Sequence, residues 1–206
     1  MPEFDIIITN WNRLSYLKNT IASLMSSGAW NDAQRKIIVD NGSTEEGVHI
    51  FLEEMRRLHG IFLVLLPHNR GWGQAVNEAL GLSRAEYVFL SNNDVDYKVL
   101  DFHKRMFEIF EKQENIGILG VWFHNAHGLV KNGVQSDYFR EMDNVPAVGW
   151  MLPKRAMERA GMLPEFGVCL TKGGNGEDTE YVNRMKAAGY LVGLPLVDLG
   201  VHIDGY

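Results

Sequence analysis

Cysteine is almost absent from the chain. Cys169 stands alone, so no internal disulfide can close and no C-x-x-C pair exists to hold zinc; the composition is compatible with a reducing compartment. Long apolar runs are also missing. The longest, such as "IFLVLLP" at 61–67, have the length of strands and fall well short of a membrane span. The N-terminus lacks a basic segment followed by an apolar stretch and a small-residue cleavage site, so a soluble, unexported, cytoplasmic protein is expected. Positive charge is not in excess: the net charge is −6, and the lysines and arginines are scattered, which argues against a nucleic-acid backbone as the main partner.

What remains is a chain of 206 residues, 46% hydrophobic, enough for one domain with a sizeable core and too short for two ordinary ones. Its first half alternates regularly. "FDIIIT" at 4–9 is a continuous apolar segment, and Leu14, Leu17, Ile21, Leu24 and Met25 follow at helical spacing up to Gly28. "KIIVD" at 36–40 precedes a second helical stripe, Val48, Leu52, Met55 and Leu58, stopped by Gly60. "FLVLL" at 62–66, a helix from Trp72 to about Leu82, and "EYVFL" at 86–90 make a third repetition. Strands apolar on both faces and separated by amphipathic helices predict a doubly wound α/β unit with a mostly parallel, Rossmann-like sheet.

In such a sheet the ligand sits beyond the carboxyl ends of the strands. Three of the predicted strands end in small polar residues: Thr9-Asn10, Asp40-Asn41-Gly42-Ser43 and Ser91-Asn92-Asn93-Asp94. These ends are expected to converge in space, although the same letters also suit turns and helix caps.

The second half has another rhythm. "IGILGVWF" at 116–123 reads as a core strand, "NAHGLVKNGVQ" as a hairpin, "AVGWML" at 147–152 as a strand, and "PKRAMERAG" as a short helix between Pro153 and Gly161. A last helix lies within 176–190, with Tyr181, Val182, Met185 and Ala188 as its buried stripe. Glu177 and Asp178 sit in its first turn, where the helix dipole favours anions.

Taken in order, "IIITNWNR", "IIVDNGST", "HNRGWGQAVNEAL", "YVFLSNNDV", "VGWMLPKRAMERAG" and "GEDTEYVNRMKAAGY" resemble the family 2 glycosyltransferases and their relatives on the GT-A fold, over nearly the whole chain from Phe4 to His202. The resemblance implies a single domain over 1–206, with a nucleotide-sugar-binding half at 1–97 and an acceptor-binding, catalytic half at 98–206. It implies a hexosyltransferase-like enzyme that takes a sugar from a nucleoside-diphosphate donor, a UDP-sugar ahead of others, and passes it with inversion to the hydroxyl of a glycan or other acceptor.

Glycosyl transfer needs a grip on the nucleoside, charge compensation for the departing diphosphate and a base for the acceptor proton. By resemblance, Asp40 holds base or ribose with Thr9 and Asn10 lining the same pocket, and Asn69 and Arg70 bound the nucleoside and diphosphate side. The family's D-x-D metal motif falls on Asn92, Asn93 and Asp94. Asp94 then stands as ligand of Mn²⁺ or Mg²⁺, while Asn92 replaces an aspartate and supplies an amide without charge. His202 is a second candidate metal ligand, and an ordinary surface or core histidine is the competing account. Asp178 takes the role of base, with Glu177 beside it, pointing roughly 100° away around the helix and counted among the substrate-binding residues. Trp150 is expected on the acceptor side, Trp122 in the core, and the glycine-rich segment 167–175 over the site as a closing loop hinged at Gly173 and Gly174.

Two other classes stay open. A catalytically silent sugar- or nucleotide-binding module would keep Asp40 and lose the base, whereas "GED" is intact. A sugar nucleotidyltransferase would carry a glycine-rich, basic loop after the first strand, where this chain has "WNRLSY". No long C-terminal extension or membrane helix is seen, so processive polysaccharide export is not expected.

Overall fold

The apolar segments form strands as their patterns predict, and alternation of side chains across the pleat sends their residues into two cores. In a computed structural model, the described residues are 1–121, 136–165, 176–197 and 199–203. Strand β1 (Phe4–Asn10) is buried throughout: Ile6 and Ile8 enter one core and Ile7 the other. Helices α1 (Leu14–Ser26) and α2 (Ala29–Asp32) follow, then β2 (Lys36–Asp40), α3 (Val48–His59), β3 (Phe62–Leu65), α4 (Trp72–Leu80) and β4 (Tyr87–Asn92).

The second half contains β5 (Val95–Asp96), α5 (Phe102–Lys112), β6 (Ile116–Gly120), β7 (Phe139–Glu141), β8 (Gly149–Pro153), α6 (Lys154–Ala160), α7 (Glu177–Ala187), β9 (Leu191–Pro195) and β10 (Val201–His202). Eight strands form a sheet in the order β3-β2-β1-β4-β8-β6-β9-β7, and β5 pairs with β10 in a separate ribbon. Strands β3, β2, β1 and β4 are parallel. Beyond β4 the sheet is mixed: β8 runs antiparallel to both β4 and β6, β9 runs parallel to β6, and β7 antiparallel to β9. The expected α/β architecture, a mostly parallel sheet flanked by helices, is the one observed.

Three expectations need correction. The "FLVLL" segment is not buried on both faces: among the described residues β3 pairs only with β2, and at this sheet edge Phe62 and Leu65 are exposed. Leu58, in the last turn of α3, is exposed as well. Ala188 falls at the C-cap of α7 and is only partly buried, so the stripe ends at Met185. The predicted hairpin after β6, Trp122 and the loop at 167–175 lie outside the described residues. No helix among the described residues is long and apolar enough to cross a membrane.

Antiparallel pairing of β8 with β4 has a consequence for function. Gly149, at the start of β8, lies beside Ser91 near the end of β4, and the Asn92 amide donates to the Val148 carbonyl. The entry to β8 and the exits of β1, β2 and β4 therefore share one edge of the sheet.

Candidate active site

Three polar strand ends meet at that edge, and their side chains are tied to one another. Asn10 donates from Nδ2 to Asp40 Oδ1 at 2.8 Å and to Ser43 Oγ at 3.2 Å. Ser43 donates its hydroxyl to Asp40 Oδ1 and its amide to Oδ2 at 3.1 Å. Asn93 brings in the third strand end, donating to Asn10 Oδ1 at 2.7 Å and to the Asn12 carbonyl at 3.2 Å. Asn12 accepts the amides of Thr44 and Glu45 on its Oδ1 and donates its own amide to Ser43 Oγ. Because most of these groups are buried, the network is held by mutual satisfaction of donors and acceptors.

Asp40 is the hub. Its side chain is wholly buried, and both oxygens are engaged, the last position on Oδ2 facing His49 Nε2 at 3.1 Å. His49 is exposed, so among the described residues it is the side-chain partner of Asp40 that lies at the surface. Thr9 sits between Val39 and Asn92 in register on β1.

The loop after β3 joins through Asn41. Its Nδ2 donates to Asn69 Oδ1 and to the Gly71 carbonyl, and its Oδ1 accepts the Arg70 amide. Gly42, at φ +75°, brings the loop after β2 so close that a Cβ would lie 2.4 Å from the His68 backbone. Asn69 is thus part of the loop framework, and the Arg70 guanidinium pairs with Glu78 on α4 at 2.9 Å.

Asp94 lies just past the end of β4, its carboxylate 3.3 Å from Arg13 Nη1. Asn92 Oδ1 is buried and has no hydrogen-bond partner among the described residues. The backbone of His202 pairs with Val95, and the Ile203 amide donates to the Asp94 carbonyl, so β10 runs alongside the candidate ligand. The side chain of His202 lies outside the described residues.

Helix α7 reaches the same edge through Glu177. Its Oε2 accepts the Gly73 amide at 2.6 Å, in the first turn of α4. Gly73 has no room for a side chain, since a Cβ would stand 2.0 Å from the Pro164 carbonyl oxygen. Asn77 and Leu163 exchange two hydrogen bonds just behind, which completes the seam. The carboxylate of Glu177, a residue expected among those that bind substrate, joins two helices. Asp178 is partly exposed, and its Oδ1 accepts the Thr179 amide at 2.8 Å; Oδ2 has no hydrogen-bond partner among the described residues.

Trp150 requires a correction. Its indole is 1% exposed, lies edge-on to Trp72 and parallel to Tyr181, and donates its Nε1–H to the Pro146 carbonyl. With both faces enclosed and its polar atom satisfied, it offers nothing to an acceptor sugar and acts as a core residue under α7.

Several site residues were not singled out from sequence. Arg13 and His49 are bound to Asp94 and Asp40 only through tertiary contacts, and Trp11 is 53% exposed between Asn10 and Asn12. A polar strand exit holding an arginine and a tryptophan, "TNWNR", was the available signal. A separate group of possible metal ligands, Asp32, Asp101 and His103, lies near the opposite edge: the His103 ring packs at a tilt against Phe4 at the start of β1. Lys104 already bridges both of its carboxylates.

Burial raises the Glu177 carboxyl above its usual range, partly offset by the Gly73 amide, and the neighbouring Asp178 raises it further. A raised acid makes its stabilising contribution at low pH and loses it as pH climbs through the folded-state value. Glu177→Gln keeps an acceptor for Gly73 without the ionisation cost. Its stability relative to the parent should therefore increase as pH rises from the ordinary glutamate range through the elevated value. Glu177→Ala, which leaves the amide without this partner, should lose about 1–2 kcal/mol. Urea denaturation of both variants between pH 4 and 8 checks the sign; a parent that gains on Glu177→Gln with rising pH contradicts it.

The sequence model of the family described as Glycosyl transferase family 2 matches residues 5–169. A dolichyl-phosphate beta-glucosyltransferase of Trichomonas vaginalis is 33% identical over 66 residues, which is 32% of this chain and 20% of that protein. Among solved structures, a mannosyltransferase from Pyrobaculum calidifontis in complex with GDP-Man and Mn²⁺ superposes with a TM-score of 0.76 at 15% identity, covering 99% of this chain and 57% of that one. TarS of S. aureus in complex with UDP-GlcNAc gives 0.69 at 16% identity, with 98% and 56% covered. GalNAc-T7 with UDP, GalNAc and Mn²⁺ gives 0.75 at 10% identity, with 98% and 43% covered. The chain thus spans less than two thirds of the length of each of these proteins, and at such identities the structural matches establish the fold.

Proposed function

The chain belongs to glycosyl transferase family 2, and from that premise we propose that it transfers a sugar, with inversion, from a nucleoside-diphosphate sugar to an acceptor hydroxyl, aided by a divalent cation at the end of β4. The observation that carries this reading is the convergence at one sheet edge of the Asn10–Asp40–Ser43–Asn93 network, Asp94 and the carboxylate-bearing start of α7. We assign the donor to the half formed by residues 1–97 and the acceptor to residues 98–206. These proteins of like fold are complexed with GDP-Man, UDP-GlcNAc or UDP, which supports a nucleotide sugar as donor class.

On this reading the nucleoside lies over the ends of β1 and β2. Asp40 organises the pocket wall and, through exposed His49, its rim; Thr9 and Asn10 line it, and the exposed Trp11 indole is available to stack on a nucleobase. Asn69 and Arg70 bound the diphosphate side. Asn92 Oδ1 and the Asp94 carboxylate are hard oxygen donors, one of them without a partner among the described residues, and this set fits Mg²⁺ or Mn²⁺ completed by phosphate oxygens and water. When bound, the cation supplies charge compensation for the departing diphosphate. His202, on the strand beside Asp94, is proposed as a further ligand.

Asp178 takes the proton of the acceptor hydroxyl as its oxygen bonds to the anomeric carbon, and the bond from that carbon to the diphosphate oxygen breaks on the opposite face. A buried α7 stripe of Tyr181, Val182 and Met185 holds the base's backbone while its Oδ2 remains available. Incubation with labelled UDP- and GDP-sugars and Mn²⁺ tests the proposal: transfer to a glycan acceptor, or slow release of free sugar without one, is expected. Nucleotide binding accompanied by neither outcome would reduce the protein to a binding module.

A further inference from the structure

Helix α1 begins in an unusual way. Asn12 and Arg13 are consecutive non-glycine residues in the left-handed region, at φ +56° and +55°, a conformation that costs energy for any side chain with a Cβ. Residues that favour a helix start, such as serine or aspartate, are absent here; Arg13 occupies the cap position and makes no side-chain cap. Glu45, from the loop after β2, serves the Leu14 amide. The strained pair is locked from three sides by Ser43, by the Thr44 and Glu45 amides and by Asn93. What this backbone achieves is to deliver a guanidinium to Asp94, with the Tyr16 ring 5.6 Å from its carbon.

Arg13 is half exposed while the Asp94 side chain is mostly covered, so one partner can leave and the other cannot. A cation approaching alone meets a carboxylate whose charge the Arg13 guanidinium already compensates. A diphosphate changes that balance, because a guanidinium matches phosphate oxygens in a planar fork and binds them more strongly than a single carboxylate oxygen. We propose that Arg13 is a donor-binding residue that rests on Asp94 in the cation's place and moves to the diphosphate of the nucleotide sugar, so that cation and donor bind cooperatively. The inference rests on the donor site proposed above.

Arg13→Gly is the informative variant, since glycine accepts the left-handed backbone and removes only the side chain. Mn²⁺ binding is followed by electron paramagnetic resonance, and UDP and GDP binding by calorimetry, each with and without the other ligand. In the parent, nucleoside diphosphate should tighten Mn²⁺ binding by about tenfold or more, and Mn²⁺ should tighten the nucleotide equally, as linkage requires. In Arg13→Gly, Mn²⁺ alone should bind about tenfold tighter, the nucleotide alone about tenfold weaker, and the mutual enhancement should shrink. Arg13→Lys, which keeps the charge and loses the fork, should fall between. Parent protein that binds the nucleotides and Mn²⁺ with affinities Arg13→Gly leaves unchanged overturns this inference alone. Parent protein that binds neither UDP nor GDP under any condition overturns the donor site and this inference together.

Discussion

Asp178→Asn is expected to lower turnover by about two to four orders of magnitude, the usual contribution of a general base, while donor affinity survives. The substitution preserves size and leaves an oxygen to accept the Thr179 amide, so the first turn of α7 keeps its geometry. What disappears is the acceptor for the incoming hydroxyl's proton. The position of that carboxylate depends on two anchors: Glu177 on the Gly73 amide and Tyr181 stacked on Trp150. Neither is touched by the change. Single-turnover transfer rates and calorimetric donor affinity, measured on the same preparation, separate chemistry from binding. Transfer near the parental rate would falsify the assignment of the base.

Asp40→Ala should produce the largest loss of stability together with loss of nucleotide binding. Its carboxylate is fully buried and serves Asn10, both donors of Ser43 and His49. Deleting it strands buried donors that cannot all find substitutes, at a cost of about 2–4 kcal/mol. Nucleotide affinity should fall even without metal, because the ends of β1, β2 and β4 are held in mutual position through this one side chain. Asp94→Ala should differ: it removes a carboxylate paired with the half-exposed Arg13, costs less stability than Asp40→Ala and weakens only the metal-dependent part of nucleotide binding. Urea denaturation and nucleotide titration with and without Mn²⁺ distinguish the two. If Asp40→Ala unfolds and binds as the parent does, Asp40 is neither hub nor donor residue.

Much of the architecture was legible in the letters. Apolar runs such as "DIII" and "YVFL" can only be satisfied by burial on both faces, and helical stripes between them cover those faces. Where that inference failed, the cause was position: β3 has the composition of a core strand and lies at a sheet edge, so Phe62 and Leu65 face solvent. Trp150 failed for a related reason. An aromatic residue next to a predicted crevice has the same letter whether its ring lines the opening or packs beneath it, and here Trp72 and Tyr181 enclose it.

The sequence by itself determined the strands and helices, and the polar exits of three strands, because periodicity and turn chemistry are local properties of the chain. Only the tertiary structure decided how those exits are used. It tied Asp40 to His49 across 9 residues, Arg13 to Asp94 across 81 and Glu177 to Gly73 across 104. Pairings at such separations depend on strand order and on the angle at which each loop leaves the sheet, which no local pattern encodes. They also depend on charge and desolvation balanced among several partners at once, so the role of each polar residue emerged only when all of its neighbours were in place.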